Sequence, residues 1–288
     1  MILDGKHLSK VLRKEIRVET QDLDVIPHLV VILVGQDGAS ETYVNNKVKA
    51  CHEVGFKSTV IRFPESVTED ELLDRIVEIN HDDEVDGLIV QLPLPEHISE
   101  EKVLETINPK KDVDGFHPMN VGKMLLGLPS FIPATPLGIM LLLKHYNIET
   151  SGKHCVVIGR SHIVGSPVSI LLSKNDSPGN CTVTLCHSKT PDLSEHTLKA
   201  DILIVAVGKP GFIGPEMIKE GAVVIDVGIH RIESDNKNGY NIVGDVDYEN
   251  TLPKCSAITP VPGGVGPMTI TGLLLNTLKS VKNLNTWA

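Results

Sequence analysis

A tyrosine and a lysine lie four residues apart in the segment Ser40-Glu-Thr-Tyr43-Val-Asn-Asn-Lys47. Residues at positions i and i+4 of a helix stack on neighbouring turns of one face, so a helix here places the phenol of Tyr43 beside the amine of Lys47. The aromatic ring can stack on a planar substrate, and the amine can transfer protons. The pair therefore predicts proton-transfer chemistry on a planar molecule.

A glycine-containing turn lies more than a hundred residues later, in Gly159-Arg160-Ser161-His162-Ile163-Val164-Gly165. It follows a predicted strand and opens a predicted helix, where backbone N–H groups and the helix dipole can hold a pyrophosphate. The turn departs from G-x-G-x-x-G because Ser161 and Val164 occupy the later glycine positions, and an ordinary strand-to-helix turn remains the alternative. Its separation from Tyr43 and Lys47 predicts two lobes, one for substrate and one for cofactor.

The end of the next predicted strand indicates which dinucleotide binds. NAD-binding sheets usually place an acid there for the ribose 2′-hydroxyl, whereas NADP sites use basic groups for the 2′-phosphate. Here the strand ends in His187-Ser188-Lys189, without a carboxylate. Arg160, within the glycine turn, can reach the same phosphate. The sequence therefore predicts NADP rather than NAD.

Two segments in the first part of the chain place polar side chains beside predicted loops. Gln91, in Gln91-Leu-Pro-Leu-Pro95, is at the carboxyl end of a predicted strand, where ligands of parallel sheets bind. Asp114, in Asp112-Val-Asp114-Gly-Phe116, can accept hydrogen bonds from adjacent N–H groups of a heterocycle. The alternatives are that Gln91 caps its own loop and that the aspartates are turn or helix-cap residues.

A third segment, Thr259-Pro-Val-Pro-Gly-Gly-Val-Gly-Pro-Met268, contains three prolines and three glycines in ten residues. Gly263 and Gly264 permit close approach of the backbone to a ligand, and the prolines stiffen the loop. A simple linker would be more polar and less constrained. The segment is therefore interpreted as a binding loop ahead of the last helix.

Short β-rich runs alternate with amphipathic helical stretches, which is typical of a parallel sheet covered by helices. The predicted fold class is α/β with two lobes, an N-terminal α/β substrate domain and a Rossmann-like NADP-binding domain. Strands are predicted at residues 29–34, 58–63, 87–91, 155–158, 182–186, 202–205 and 223–226. Helices are predicted at residues 42–54, from a capping box at 68–71 towards 81, at 137–146, from the glycine turn to 172, and at 268–282, with surface loops at 176–180 and 233–239. The polar segment 108–118 ends the first lobe, and the second begins near residue 120.

The composition excludes several classes of protein. The 288 residues carry a net charge of -10, which disfavours nonspecific attraction to nucleic acid or an anionic membrane surface. No apolar run approaches the ~18 to 20 residues of a membrane helix, and the first residues lack the pattern of a secretory signal. The five cysteines contain no C-x-x-C pair, and the twelve histidines lack metal-ligand spacing. We expect a cytoplasmic protein with no bound metal.

Taken together, these motifs resemble the bifunctional methylenetetrahydrofolate dehydrogenase/methenyltetrahydrofolate cyclohydrolase (FolD-type) family. The resemblance extends from Leu3-Asp4-Gly5-Lys6 to the last helix. Its most specific motifs are the Ser40/Tyr43/Lys47 segment, Val90–Pro95, Asp112–Phe116, Gly159–Gly165 and Pro260–Met268. The resemblance implies oxidation of 5,10-methylenetetrahydrofolate with NADP, followed by hydrolysis of the methenyl product to 10-formyltetrahydrofolate.

The resemblance also implies roles for individual residues. Lys47 is the central catalytic residue, Gln91 hydrogen-bonds it, and Tyr43 stacks on the folate; Asp114 anchors the pterin. The implied substrate-binding residues are Ser40, Tyr43, Asp114, Gly264 and Val265, the last two in a loop lining the cleft. The implied cofactor-binding residues are Gly159, Arg160, Ser161, Ile163, Val164, Gly165, His187, Ser188 and Ile229, with Arg160 and Ser188 holding the 2′-phosphate.

The resemblance implies a discontinuous first domain, because the last helix of the family returns to it. We therefore expect a folate-binding catalytic domain at residues 1–119 plus 268–288 and a Rossmann-like NADP-binding domain at residues 120–267. A homodimer is implied in the same way. Two positions depart from the family pattern: Ala134 stands where the family commonly has Cys, and His230 stands where it has Asn.

Three other functions remain open from the sequence. A short-chain dehydrogenase also uses a Tyr-x-x-x-Lys pair, but its glycine-rich turn precedes that pair, which is the reverse of the order here. A folate- or NADP-binding protein without turnover, acting as a sensor or carrier, is the alternative from another class. A dehydrogenase that lacks the hydrolase step is the third.

Overall fold

The computed structural model of the protein describes residues 1–236 and 239–282. Its α-helices are Gly5–Gln21 (α1), Gly38–Val54 (α2), Glu69–Asn80 (α3), Glu100–Thr106 (α4), Pro118–Leu126 (α5), Ala134–His145 (α6), Gly165–Ser173 (α7), Leu193–Thr197 (α8), Tyr248–Thr251 (α9) and Val265–Val281 (α10). Its strands are His28–Val34 (β1), Lys57–Phe63 (β2), Gly87–Val90 (β3), His154–Ile158 (β4), Thr182–Cys186 (β5), Ile202–Val205 (β6), Val223–Asp226 (β7), His230–Glu233 (β8), Tyr240–Val243 (β9) and Ala257–Ile258 (β10). The alternation of helices with parallel strands confirms the predicted α/β class.

Contacts divide the chain into two compact units. The lysine unit consists of Val11–Ala134 and the chain from Ile270 onward, and the glycine-turn unit consists of Met1–Lys10 and Thr135–Thr269. The boundaries between these compact units differ from the expected domain boundaries after residues 119 and 267. The expected division into a folate-binding and an NADP-binding domain stays a prediction.

The sheet of the lysine unit is parallel and has the strand order β2-β1-β3. Every residue of the central strand β1 is buried, as expected where helices cover both faces of a parallel sheet. Alternate residues of β1 serve the two faces: Leu29, Val31 and Leu33 belong to one apolar core, and Val30, Ile32 and Val34 belong to another. The sheet therefore holds the carboxyl ends of β1 and β3 firmly in place.

The ends of α2 and α3 follow from local capping. Asp37 accepts a hydrogen bond from the Ser40 N–H at 2.7 Å, so α2 begins at Gly38 rather than at the predicted residue 42. Gly55, at a φ of +84°, ends the same helix in the left-handed conformation. The predicted capping box is confirmed, since Thr68 and Glu71 exchange side-chain and backbone hydrogen bonds at the start of α3.

The last helix, α10, supplies part of the core of the lysine unit. Its residues Leu273, Leu274 and Leu278 are buried with Leu29 and Val31 of β1. The prediction that the last helix joins the first lobe is therefore confirmed. α10 begins at Val265, three residues before the predicted start.

The glycine-turn unit contains a five-stranded parallel sheet in the order β10-β7-β6-β4-β5. The predicted limits of β5, β6 and β7 are confirmed, and β4 begins one residue earlier than predicted. The antiparallel strands β8 and β9 were not predicted; they flank the predicted loop at 233–239, and of the described residues in that range only Glu233 belongs to a strand. Residues 237 and 238 of that loop lie outside the described residues.

Strands β1 and β4 each begin with a histidine, and the two histidines make equivalent contacts. In both cases the backbone N–H donates to an aspartate, one ring nitrogen contacts a threonine hydroxyl, and the other contacts a backbone carbonyl. The aspartate and threonine are Asp86 and Thr59 for His28, and Asp201 and Thr184 for His154. Because these groups lie at the amino ends of the strands, they have a structural role.

Within residues 1–236 and 239–282, no helix combines the length and the apolar character needed to cross a membrane.

Candidate active site

Tyr43 and Lys47 lie on one face of α2, as their spacing predicts. The same side of the helix contributes Val44, Cys51 and Val54 to the core, so burial fixes the orientation of the helix and encloses the lysine. Lys47 is only 9% exposed, whereas Tyr43 is 38% exposed. The ring is therefore accessible for stacking, while the amine lies in a nearly enclosed position.

Gln91 holds the amine of Lys47. The Lys47 Nζ donates to Gln91 Oε1 at 3.1 Å, and Gln91 Nε2 donates to the Leu92 carbonyl at 2.7 Å. Because the side-chain nitrogen of Gln91 donates to the Leu92 carbonyl, the side-chain oxygen of Gln91 must point towards the lysine. The backbone N–H of Gln91 also donates to the Ile32 carbonyl, which anchors the residue to the end of β1. Gln91 thus contacts its own loop and also positions Lys47.

Asp114 is the carboxylate that accompanies this pair. Burial raises the pKa of the Asp114 carboxyl, and the positive charge of Lys47 partly opposes that effect. The lysine is therefore close enough to act on the carboxyl electrostatically. The structure brings Lys47, Gln91 and Asp114 together in the lysine unit.

Asp112 has a structural role in this loop, as in the alternative interpretation that the aspartates are turn or helix-cap residues. Its carboxylate accepts hydrogen bonds from the N–H groups of Phe116 (3.3 Å) and His117 (2.8 Å) and from Asn120 Nδ2 (2.8 Å). Burial raises the pKa of this carboxyl as well. Asp112 therefore fixes the loop that carries Asp114.

The backbone beside Asp114 packs so closely that position 115 requires a glycine. Gly115 has a φ of +76°, and a Cβ at this position would lie 2.6 Å from the Ile132 carbonyl carbon. The Ala134 N–H donates to the Asp114 carbonyl at 3.3 Å, so the two segments are also hydrogen-bonded. Ala134, one of the two departures from the family pattern, is buried in the core of the lysine unit.

The glycine turn of the other unit depends on its two glycines. Gly159 has a φ of +109°, and a Cβ there would lie 2.1 Å from the Ala206 carbonyl oxygen. A Cβ at Gly165 would lie 1.8 Å from the carbonyl oxygen of Gly159. Ser161 Oγ accepts from the N–H groups of Val164 and Gly165, at 3.2 and 3.4 Å. The turn therefore has a specific conformation that an ordinary strand-to-helix connection does not need.

We expect Gly159→Ala to destabilise the protein far more than Gly152→Ala. Both glycines have positive φ, but a Cβ at Gly152 would meet no atom within 4 Å. Gly152→Ala therefore costs only the backbone term, about 1 kcal/mol, whereas Gly159→Ala adds a steric overlap and costs about 3 kcal/mol or more. Urea unfolding of the two variants measures the difference, and equal losses would contradict the tight turn.

The residues around the turn fit a dinucleotide that carries a 2′-phosphate. The Gly159 N–H donates to the Cys186 carbonyl at 2.9 Å, so the turn lies beside the end of β5. His187 follows there, and its Nδ1 accepts from the Lys189 N–H at 3.1 Å. The side chains of Arg160 and Ser188 are exposed. Since residues 187–190 contain no carboxylate, this edge of the sheet suits a phosphate rather than a ribose hydroxyl.

The remaining predicted residues of this unit lie in loops or at the start of α10. Ile229 is 42% exposed, and a Cβ at Gly266 would lie 3.1 Å from its Cδ1, so Ile229 is next to the first turn of α10. Gly264 packs tightly, because a Cβ there would lie 2.7 Å from Thr259 Cβ. The side chain of Val265 is buried. Ile163, in the glycine turn, is exposed.

Asp245 is a residue that the sequence reasoning missed. Its buried carboxylate accepts from three successive backbone N–H groups, those of residues 207, 208 and 209, at 2.7, 3.1 and 2.9 Å. His230, the second departure from the family pattern, contacts the same carboxylate through Nε2 at 2.7 Å. Through Asp245, His230 therefore helps to hold the loop that follows β6. A single aspartate after a strand gives no sequence signal for such a set of contacts.

These features define a two-unit α/β protein: a Rossmann-type dinucleotide-binding unit and an α/β unit that carries a lysine, an amide and a carboxylate. Two family models match the chain. The tetrahydrofolate dehydrogenase/cyclohydrolase catalytic domain matches residues 3–114, and the NAD(P)-binding domain of the same family matches residues 133–285.

Individual relatives agree with the family models over nearly the whole chain. The chain is 58% identical to the bifunctional protein FolD of Cytophaga hutchinsonii, over 97% of this chain and 98% of that protein. The crystal structure of the bifunctional FolD enzyme from Campylobacter jejuni is 51% identical, with a TM-score of 0.93 over 98% of this chain and 99% of that one. The Trypanosoma brucei FolD, in complex with NADP and an inhibitor, is 37% identical with a TM-score of 0.93, over 98% of this chain and 97% of that one.

The chain belongs to the tetrahydrofolate dehydrogenase/cyclohydrolase family. It is a bifunctional enzyme that oxidises 5,10-methylenetetrahydrofolate and hydrolyses the methenyl product to 10-formyltetrahydrofolate. The resemblance inferred from the motifs is confirmed, and the reading as a short-chain dehydrogenase is wrong.

Proposed function

We propose that both folate reactions use the group formed by Tyr43, Lys47, Gln91 and Asp114. The observation that carries the proposal is the hydrogen bond between Lys47 Nζ and Gln91 Oε1, beside a carboxyl that the lysine charge affects. Tyr43 stacks on the pterin, and Asp114 accepts hydrogen bonds from its N–H groups. Ser40, buried in the first turn of α2, lies on the same helix and contributes to the folate side of the site.

In the dehydrogenase reaction the protein supplies orientation and electrostatics. When bound, NADP would supply the acceptor for the hydride of the methylene carbon. The turn at residues 159–165 would hold the pyrophosphate of this cofactor. Arg160 and Ser188 would hold its 2′-phosphate, and His187 and Ile229 would border it. Gly264 and Val265, at the start of α10, contribute to folate binding.

In the cyclohydrolase reaction, water adds to the methenyl carbon, and the bond from that carbon to N5 then breaks. In its uncharged form, the amine of Lys47 accepts a proton from the attacking water and returns that proton to N5, while the hydroxyl proton of the adduct leaves as the formyl C=O forms. One proton is released overall, and 10-formyltetrahydrofolate is formed. The Gln91 oxygen keeps the amine in position for both transfers.

A competition experiment tests whether the two reactions share one site. Hydrolysis of added methenyltetrahydrofolate is followed in the absence of NADP, while methylenetetrahydrofolate is added at increasing concentration. We expect competitive inhibition, because both molecules occupy the same position above Tyr43. Hydrolysis that is unaffected by saturating methylenetetrahydrofolate would contradict a shared site.

The proposed phosphate contact of Arg160 predicts a change in cofactor preference. We expect Arg160→Ala to raise the KM for NADP by roughly ten- to a hundredfold, since a charge-assisted hydrogen bond is lost. The KM for NAD should change little, because NAD has no 2′-phosphate. Lys199→Ala, which removes another exposed positive charge from the same unit, serves as the control. Equal effects of Arg160→Ala on both cofactors would refute the contact.

The quaternary structure, the domain division and the compartment are also part of the proposal. We propose a cytoplasmic homodimer in which residues 1–119 plus 268–288 form the folate-binding domain and residues 120–267 form the NADP-binding domain. The family resemblance and the net charge of -10 support this assignment. Sedimentation equilibrium tests the dimer: a species of twice the chain mass of 31.3 kDa is expected, and a monomer would contradict it.

A further inference from the structure

We propose that Asn276 is a positioning residue for the folate-binding carboxylate of Asp114. Asn276 lies on α10, far from Asp114 in sequence, and it belongs to none of the motifs that carry the site residues. The inference rests on the proposed role of Asp114 in binding folate. It concerns the lysine unit alone.

Asn276 joins two loop segments through a single buried amide. Its side chain is only 2% exposed, and Nδ2 donates to the Val113 carbonyl and to the Ile132 carbonyl, each at 2.8 Å. Both hydrogens of the amide nitrogen are therefore used. A buried carbonyl without a donor is costly, so the amide determines where both segments can lie.

The two carbonyls are adjacent to the backbone that carries Asp114. Val113 directly precedes Asp114, and its side chain is buried against Gly87 of β3, where an added Cβ would lie 2.9 Å from it. On the other segment, Ile132 lies within 2.6 Å of the Cβ that Gly115 lacks. The Asn276 amide therefore holds Val113, the residue before Asp114, directly. It also holds Ile132, which packs against Gly115, the residue after Asp114. A shift of either segment would move the carboxylate.

Two other polar residues of α10 donate to carbonyls of neighbouring residues in the same two segments. Ser280 Oγ donates to the Lys110 carbonyl at 3.0 Å, and Lys279 Nζ donates to the Ser130 carbonyl at 3.0 Å. The Ser280 contact is exposed and lies four residues before Asp114. Ser280→Ala therefore removes a hydrogen bond between α10 and this loop without touching the carbonyl next to Asp114, which makes it a matched control.

Two variants of Asn276 separate positioning from simple stability. Asn276→Leu keeps the approximate shape and removes both donors, and Asn276→Ser keeps one donor and serves if the leucine variant does not fold. We expect the KM for methylenetetrahydrofolate to rise about tenfold in Asn276→Leu and less in Asn276→Ser, with the KM for NADP unchanged. A merely structural role would lower the fraction of active enzyme, and hence the apparent kcat, without changing either KM.

The comparison with Asp114→Asn shows through which residue Asn276 acts. If Asn276 works through Asp114, the double variant raises the folate KM no further than Asp114→Asn alone, since the two changes are not additive. Additive effects would overturn the inference, as would an unchanged folate KM in both Asn276 variants or an equal rise in Ser280→Ala. If Asp114→Asn itself leaves the folate KM unchanged, the proposed role of Asp114 fails and the inference fails with it.

Discussion

Lys47→Met abolishes hydrolysis of methenyltetrahydrofolate and leaves the protein folded. Methionine has a similar length and is readily buried, so it fits the nearly enclosed position of Lys47 on α2. It cannot donate to Gln91 Oε1 or transfer a proton. Loss of a general acid–base group costs roughly a hundred- to ten-thousandfold in rate, and the hydrolysis should fall by that factor. The decay of methenyl absorbance after mixing with the variant measures it.

The exposed Lys49, two residues further along the same helix, provides the matched control. Lys49→Met removes one positive charge from α2 but should retain the hydrolysis rate of the unmodified enzyme. Circular dichroism and urea unfolding establish that both variants fold. Substantial residual hydrolysis in a folded Lys47→Met protein would refute the assigned role of the lysine.

Asp114→Asn weakens folate binding in both reactions and leaves NADP binding intact. A carboxylate that accepts two N–H groups of the pterin contributes roughly 1.5 to 3 kcal/mol for each hydrogen bond to a charged group. Asparagine replaces one acceptor oxygen with an N–H donor, which faces a donor on the substrate. We therefore expect the folate KM to rise by about a hundredfold. Steady-state kinetics with each folate substrate measures the change.

Asp83→Asn is the control for the loss of one negative charge from the same unit, because Asp83 is exposed. It should leave the folate KM unchanged. A normal folate KM in Asp114→Asn, or a parallel rise in the KM for NADP, would show that the carboxyl does not contact the pterin.

Much of the sheet could be predicted because parallel strands are buried on both faces. β6 and β7 are mostly apolar and buried, and their ends coincide with the predicted ones. The predicted limits of the edge strand β5 are also confirmed, although four of its five residues are at least partly exposed. The pair β8–β9 could not be predicted in this way, since His230–Glu233 is mostly polar and exposed. α1 was not predicted either, although Leu8, Leu12 and Ile16 recur at helical spacing.

In the candidate site, relations between residues close in sequence could be predicted from spacing, and contacts between distant residues could not. Tyr43 and Lys47 share a helix face, and that relation depends only on their spacing. The contact between Lys47 and Gln91 joins residues 44 positions apart and was expected only through the family resemblance. Asn276 is 163 residues from the Val113 carbonyl that it binds, and no spacing rule connects such positions.

The measurement that tests the central claim most directly follows two signals in one preparation of the purified enzyme. With methylenetetrahydrofolate and NADP, NADPH formation is recorded; with methenyltetrahydrofolate alone, the loss of methenyl absorbance is compared with that in buffer. We predict NADPH formation and an enzyme-accelerated loss of the methenyl signal. NADPH formation without accelerated hydrolysis would mean that the protein is a dehydrogenase only, and it would contradict the role of Lys47. The absence of both signals would support a binding protein instead.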